Sequence, residues 1–264
     1  MGARAGLLFR QLLDPETSTW TYLLADGETR EAVLIDGVLE QLERDLALLR
    51  ELGVTLRYAL ETHVHADHVT ASGRLRRELG AQVAVSAPAG VVNADLRLGD
   101  GDALRFGRHE LEVRLTPGHT SGCASYVCHE QGIAFTGDAL LIRGCGRTDF
   151  QQGDARTLFR SVRERLFSLP DEFLLYPAHD YKGRTVTTVA EEKRWNPRLG
   201  LERSEAEFVA LMGQLKLSYP KRMDVAVPAN LESGLAIPPP PIRPVAGVME
   251  ELGRQDAEAW LGHG

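Results

Sequence analysis

Thr62-His63-Val64-His65-Ala66-Asp67-His68 packs three histidines and one aspartate into the six residues from His63. The stretch follows an apolar run, Tyr58-Ala59-Leu60, and precedes a helix-like run, Val69 to Leu79. It therefore reads as the loop at the C-terminal end of a strand. Imidazole and carboxylate groups bunched on one such loop are how a chain builds a metal site. Three further segments offer the same donors after apolar runs: Thr116-Pro117-Gly118-His119-Thr120, Thr136-Gly137-Asp138 and Tyr176-Pro177-Ala178-His179-Asp180. Ligands presented from strand ends converge on one edge of a layered fold. Gly118 and Gly137 permit sharp turns that aim the next side chain inward. A lone histidine is usually a core or surface residue, and His109, His129 and His263 are read that way. Four strand-end segments together point to a site.

The bulk numbers frame this reading. A chain of 264 residues can form one large domain or two small ones, and 43% apolar with 25% charged residues is ordinary for a globular enzyme. A net charge of −7 argues against nucleic acid or an anionic membrane surface as partner. The three cysteines, Cys123, Cys128 and Cys145, make no disulfide framework and fit a reducing compartment. No signal peptide or membrane-length apolar run is legible, so a cytoplasmic protein is expected.

Outward from the histidine loop, strands arrive in groups with helices between them. Leu7 to Leu13 and Trp20 to Leu24 form an opening hairpin, and Glu31 to Ile35 reads as a buried strand. Leu39 to Leu52 has helical leucine spacing and stops at Gly53. Gln82 to Val85, Leu104 to Phe106, Leu111 to Leu115, Cys123 to Cys128, Ile133 to Thr136 and Phe173 to Tyr176 complete the strands, with a helix from Ala155 to Leu166. The grouping predicts an α+β fold, two sheets packed together with helices outside, as a four-layer αββα sandwich. Helices are expected at Thr187 to Trp195 and Ser204 to Leu217, then irregular chain. The catalytic domain is expected to span 1–235. Residues 236–264 read as a proline-rich spacer followed either by a helix, Val245 to Leu261, packed on the domain or on the partner subunit of a homodimer, or by a loosely ordered tail.

The set His63-x-His65-x-Asp67-His68, Gly118-His119, Gly137-Asp138 and His179 resembles the signature of the metallo-β-lactamase superfamily, whose fold is an αββα sandwich. Two clusters narrow the likeness: Gly144-Cys145-Gly146-Arg147-Thr148-Asp149-Phe150-Gln151, and Pro177-Ala178-His179-Asp180-Tyr181 leading on to Asn196-Pro197-Arg198-Leu199 and Ala226-Val227-Pro228-Ala229-Asn230. Together they resemble the persulfide dioxygenases, the ethylmalonic-encephalopathy-type sulfur dioxygenases, over roughly residues 7 to 235. That resemblance implies one Fe(II) per chain held by His63, His119 and Asp138, with glutathione persulfide and O2 as substrates and sulfite and glutathione as products. It also implies that His65, Asp67, His68 and His179 orient ligands or hold water rather than touch the metal. Spacing alone does not distinguish this from a dinuclear centre in which all seven are ligands.

A glutathione-like substrate carries two carboxylates and calls for local cations. Arg147, Tyr181 and Arg184 are the substrate-pocket candidates, with solvated loop residues or internal ion pairs as the plain alternative. Arg147 could instead pair with Asp149 or Asp180. Cys145 is read as a packed thiol. Asp36 is either a carboxylate behind the site or a turn residue before Gly37, and Trp195 and Tyr219 are read as core or interface aromatics. The main competing function is a hydroxyacylglutathione hydrolase of glyoxalase II type with a dinuclear metal centre. The 85 residues after His179, with proline-rich sequence among them, leave little for the helical glutathione-gripping domain such enzymes carry. A metal-binding regulator and a β-lactamase are the remaining alternatives.

Overall fold

A computed structural model describes residues 6–235. The chain opens with the antiparallel strands β1 (Leu7–Asp14), β2 (Thr19–Asp26) and β3 (Glu31–Ile35), then a short 3-10 turn runs into helix α1 (Leu42–Leu52). Strand β4 (Thr55–Leu60) leads to the histidine loop, α2 (Ser72–Leu79), β5 (Gln82–Ser86) and β6 (Leu96–Leu98). These strands form a six-stranded sheet in the order β1-β2-β3-β4-β5-β6, parallel from β3 onward.

The second sheet begins with β7 (Ala103–Phe106), β8 (His109–Leu115), β9 (Ala124–Cys128) and β10 (Ile133–Gly137). Helix α3 (Ala155–Ser161) continues as a π-helical turn to Leu166, followed by β11 (Leu174–Pro177), β12 (Thr187–Thr188), α4 (Val189–Trp195), α5 (Glu205–Gly213) and α6 (Met223–Asn230). Its order is β12-β11-β10-β9-β8-β7, with β10 and β11 the parallel pair.

Strand alternation makes the layers. Trp20, Tyr22, Leu24, Val33 and Ile35 face Phe106, Val113, Tyr126, Phe135 and Tyr176 across the inter-sheet core. The intervening Leu23, Ala25, Ala32 and Leu34 pack under Leu42, Leu46 and Leu49 of α1 and Leu75 of α2. On the far side, Val127, Ala134 and Leu175 meet Leu158, Val162 and Phe208. Because both faces of the central strands are covered, all eight residues of β2 are buried. The expected four-layer sandwich is the observed fold.

The helix ends follow local chemistry. Gly53 and Gly80 close α1 and α2 in left-handed conformation, and capping boxes Thr188/Glu191 and Ser204/Glu207 start α4 and α5.

Several boundaries depart from the sequence expectation. The helix expected from Val69 starts at Ser72, because Thr70 bridges Val38 and donates its backbone N–H to Asn230. The Thr187 end of the next helix is a strand, and the helix expected to reach Leu217 stops at Gly213. Helix α6 lies in a stretch read as irregular, and strand β6 in one assigned no element; α6 contains Pro228 and shows weak amphipathic patterning. Trp195 is 59% and Tyr219 52% exposed, so neither is a core residue. The proline run and the expected helix Val245 to Leu261 lie outside the described residues.

Candidate metal centre

All four strand-end segments meet at one edge of the sandwich. Three donor groupings form among the described residues, each with atoms within 4.8 Å of one another: His63, His119 and Asp138; His65, Asp67, His68 and His179; and Asp36, Glu61 and His65. The turn glycines are placed as anticipated. Gly137 has a φ of 52°, and a Cβ there would lie 2.8 Å from Thr62 Oγ1.

The first grouping is prepared from behind. Thr62 Oγ1 donates to Asp36 Oδ2 at 2.8 Å and lies 3.0 Å from His63 Nδ1. A hydroxyl has one proton to give, so toward His63 it accepts, and His63 carries its proton on Nδ1. His119 Nδ1 lies 2.7 Å from the Arg147 carbonyl, which can only accept, so His119 is also protonated there. Both imidazoles are thereby left with an Nε2 lone pair, and His119 Nε2 is 3.6 Å from Asp138 Oδ2. Burial, reinforced by charge at His65, holds His63 well below the usual imidazole range, so it stays a neutral donor. The buried Asp138 would be pushed up by desolvation, but His179, 2.7 Å from its Oδ1, outweighs this and keeps it ionised. Two imidazoles turned with Nε2 toward one carboxylate on one face fit a divalent metal.

His179 is used differently. Its Nδ1 is 2.7 Å from Asp138 Oδ1 and its Nε2 is 3.1 Å from Asp67 Oδ2 and 3.1 Å from Thr19 Oγ1. Burial lowers its proton affinity, yet the two carboxylates outweigh that and raise it well above the ordinary value. Asp67 also meets His68 Nδ1 at 3.0 Å. His65 lies 3.2 Å from Asp36 and its pKa is raised to about 10, where burial opposes protonation but Asp36 and Asp67 prevail. Neither His65 nitrogen nor His68 Nε2 makes a hydrogen bond among the described residues. Asp36 is a buried carboxylate behind the site, held in left-handed conformation at φ 54° and accepting from both the Thr62 N–H and its hydroxyl.

The substrate candidates line one cleft of about 850 Å³ above His63, His119 and Asp138. Arg147 is committed: it pairs with Asp149 at 2.6 Å, lies over the Phe150 ring and donates to the Ser218 carbonyl at 2.8 Å. Arg184 pairs with Asp180 at 2.9 Å and donates to the Ile142 carbonyl at 2.6 Å. Tyr181 stacks on His179, 72% exposed. The cleft wall also carries Lys182, one of the cations that follow His179 in sequence, and Lys221, which sequence reasoning missed; neither ammonium has a carboxylate partner among the described residues. Cys145 is buried against Met212, and burial pushes its thiol up to about 11, as expected of a packed cysteine. His109 and His129 pair with Glu130 and Glu112, far from this edge. Thr19 and Asn230 are the site neighbours with no local signal of their role; Asn230 stood only within a motif.

Comparison with known proteins shows the family to which the chain belongs. The metallo-beta-lactamase superfamily matches residues 14–179. The chain is 56% identical to mitochondrial persulfide dioxygenase ETHE1 of Mus musculus, over 89% of this chain and 92% of that one. It is also 56% identical to the Homo sapiens protein of that name, over 90% and 92%. The crystal structure of ETHE1 from Myxococcus xanthus superposes with a TM-score of 0.84 at 53% identity, covering 86% of this chain and 99% of that one.

Proposed function

We propose that this chain, which belongs to the metallo-β-lactamase superfamily and within it to the persulfide dioxygenases, oxidises the outer sulfur of a persulfide with O2. The single observation that carries the reading is 56% identity over the aligned span with proteins named for that activity, across nearly their whole length. For glutathione persulfide the reaction takes up one O2 and one water and releases glutathione, sulfite and two protons. The outer sulfur gives up four electrons and O2 takes them.

His63, His119 and Asp138 would hold one Fe(II), which supplies the redox chemistry that joins a sulfur donor to dioxygen. The chain's own residues prepare that site. Thr62 and the Arg147 carbonyl hold both imidazoles in the tautomer that presents Nε2. His179 occupies one oxygen of Asp138 and leaves the other to the metal. His65, Asp67 and His68 support this arrangement, since Asp67 holds His179. With both His179 nitrogens on carboxylates, a second metal would have to displace those bonds. The orphaned His68 Nε2 is the observation that favours the dinuclear hydrolase reading.

The cleft explains how an acidic protein can take an anionic thiol carrier. Arg147 and Arg184 are paired with Asp149 and Asp180 and shape the wall, Tyr181 offers a ring and hydroxyl at the mouth, and Lys182 and Lys221, without carboxylate partners among the described residues, are left to meet the two glutathione carboxylates. No helix among the described residues is long and apolar enough to cross a membrane. Cys123, Cys128 and Cys145 are buried and not joined in disulfides, which supports a reducing compartment such as the cytoplasm.

The test is oxygen uptake on glutathione persulfide by anaerobically iron-loaded protein, with sulfite and metal content measured alongside. One iron per chain and one sulfite per O2 are expected. Two metals per chain with thioester hydrolysis and no O2 uptake would overturn the reading.

A further inference from the structure

Asn230 stands on α6, more than 160 residues along the chain from the histidine loop it touches. Its side chain spends all its main hydrogen-bonding capacity there. Nδ2 donates to the carbonyls of His65 and His68, each at 2.9 Å, and Oδ1 accepts from the backbone N–H of Thr70 at 2.8 Å. The residue is only 4% exposed. The loop is neither helix nor strand at these positions, so its carbonyls have no ladder to satisfy them. One amide does the work that a neighbouring strand would do.

We propose that Asn230 is a positioning residue for the metal centre, acting through the backbone that carries the histidines. The route is short. The two carbonyls it fixes flank Asp67; the Asp67 carboxylate holds His179 Nε2; and His179 Nδ1 holds Asp138 Oδ1. Freed from Asn230, the loop can shift, Asp67 releases His179, and Asp138 loses its orientation. The inference rests on the reading that His63, His119 and Asp138 hold the metal.

General packing of α6 is separable from this role. Ala226 and Ala229 pack on Leu39 and Val69, and Asn93 ties the end of the helix by donating to the Glu232 carbonyl at 2.9 Å. Asn93→Ala therefore loosens the same helix without touching the histidine loop. Asn230→Asp is nearly isosteric, keeps the acceptor for Thr70 and loses both donors. Asn230→Ala removes all three bonds, and the aspartate variant serves if the alanine variant does not fold.

The experiment loads wild type, Asn230→Asp, Asn230→Ala and Asn93→Ala with Co(II) as a spectroscopic probe. It records the visible absorption, the rate of metal loss to excess chelator, and the melting temperature of the metal-free proteins. The Asn230 variants are expected to weaken metal retention by about 10- to 100-fold and to change the Co(II) band, while Asn93→Ala keeps the wild-type band and retention whatever its melting temperature. A folded Asn230→Asp with wild-type band and retention overturns the proposal, as does an Asn93→Ala that loses metal equally. A folded wild type that binds no Co(II) instead overturns the reading of the metal centre, and this inference with it.

Discussion

His179 lies with Nδ1 2.7 Å from Asp138 Oδ1 while its other nitrogen rests on Asp67, so one imidazole bridges two carboxylates. Removing it should loosen the site without emptying it. His179→Ala is expected to keep about one iron per chain when reconstituted, at an affinity lowered about 10- to 100-fold. Asp138→Ala should abolish binding. Metal content after desalting, measured on both, checks this, and complete metal loss in His179→Ala would make that histidine a ligand.

Thr62 relays between Asp36 and His63. Thr62→Val keeps the shape and strands a buried carboxylate oxygen and a buried Nδ1–H. The expected cost is about 1–3 kcal/mol of stability, measured by denaturant unfolding. Metal affinity should fall too, because the His63 tautomer is no longer held. Thr62→Ser should recover most of both.

Gly146 sits against the His119 imidazole. A Cβ there would lie 2.7 Å from the ring, with backbone on its other side at the Asp138 carbonyl. Gly146→Ala should displace His119 and lower metal retention, while the circular dichroism of the folded protein is unchanged.

Lys182 and Lys221 stand apart from the paired arginines. Lys221→Glu is expected to raise KM for glutathione persulfide severalfold, with kcat little changed, and to do so more at low ionic strength. Raising the salt concentration should shrink the difference from wild type.

Asp45 offers a pH test away from the metal. It is buried on α1 with Oδ2 unpartnered; burial raises its pKa from 3.8 to about 6, against the opposing pull of Arg44. The folded state thus prefers the neutral acid. The penalty is absent below pH 3.8, grows between 3.8 and 6, and is complete above 6. Asp45→Asn should therefore match wild type in acid and exceed it at neutral pH by up to about 3 kcal/mol. Urea unfolding at several pH values between these limits reads the crossover.

The sandwich was legible because its strands arrive as grouped apolar runs and its ligands follow strand ends. Trp20, Tyr22 and Leu24 announce a strand by pattern alone, and Gly118-His119 and Gly137-Asp138 announce turns. Helix α6 was not legible: it is short, contains Pro228, and is stabilised by contacts to Val69 and the histidine loop rather than by its own periodicity. The pairing of Arg147 with Asp149 was among the anticipated options, because the two are near neighbours. The reach of Asn230 was not, because no local rule links residues so far apart.

That long reach sets a timetable for biogenesis. The described site draws on Asp36, the His63 loop, His119, Asp138, His179 and finally Asn230. The first five leave the ribosome before the sixth is released, so the loop emerges before the amide that satisfies its carbonyls. Metal acquisition is then a late event in the life of the nascent chain, and a truncated product ending before α6 would expose an unfinished, donor-rich edge to whatever cation reaches it first.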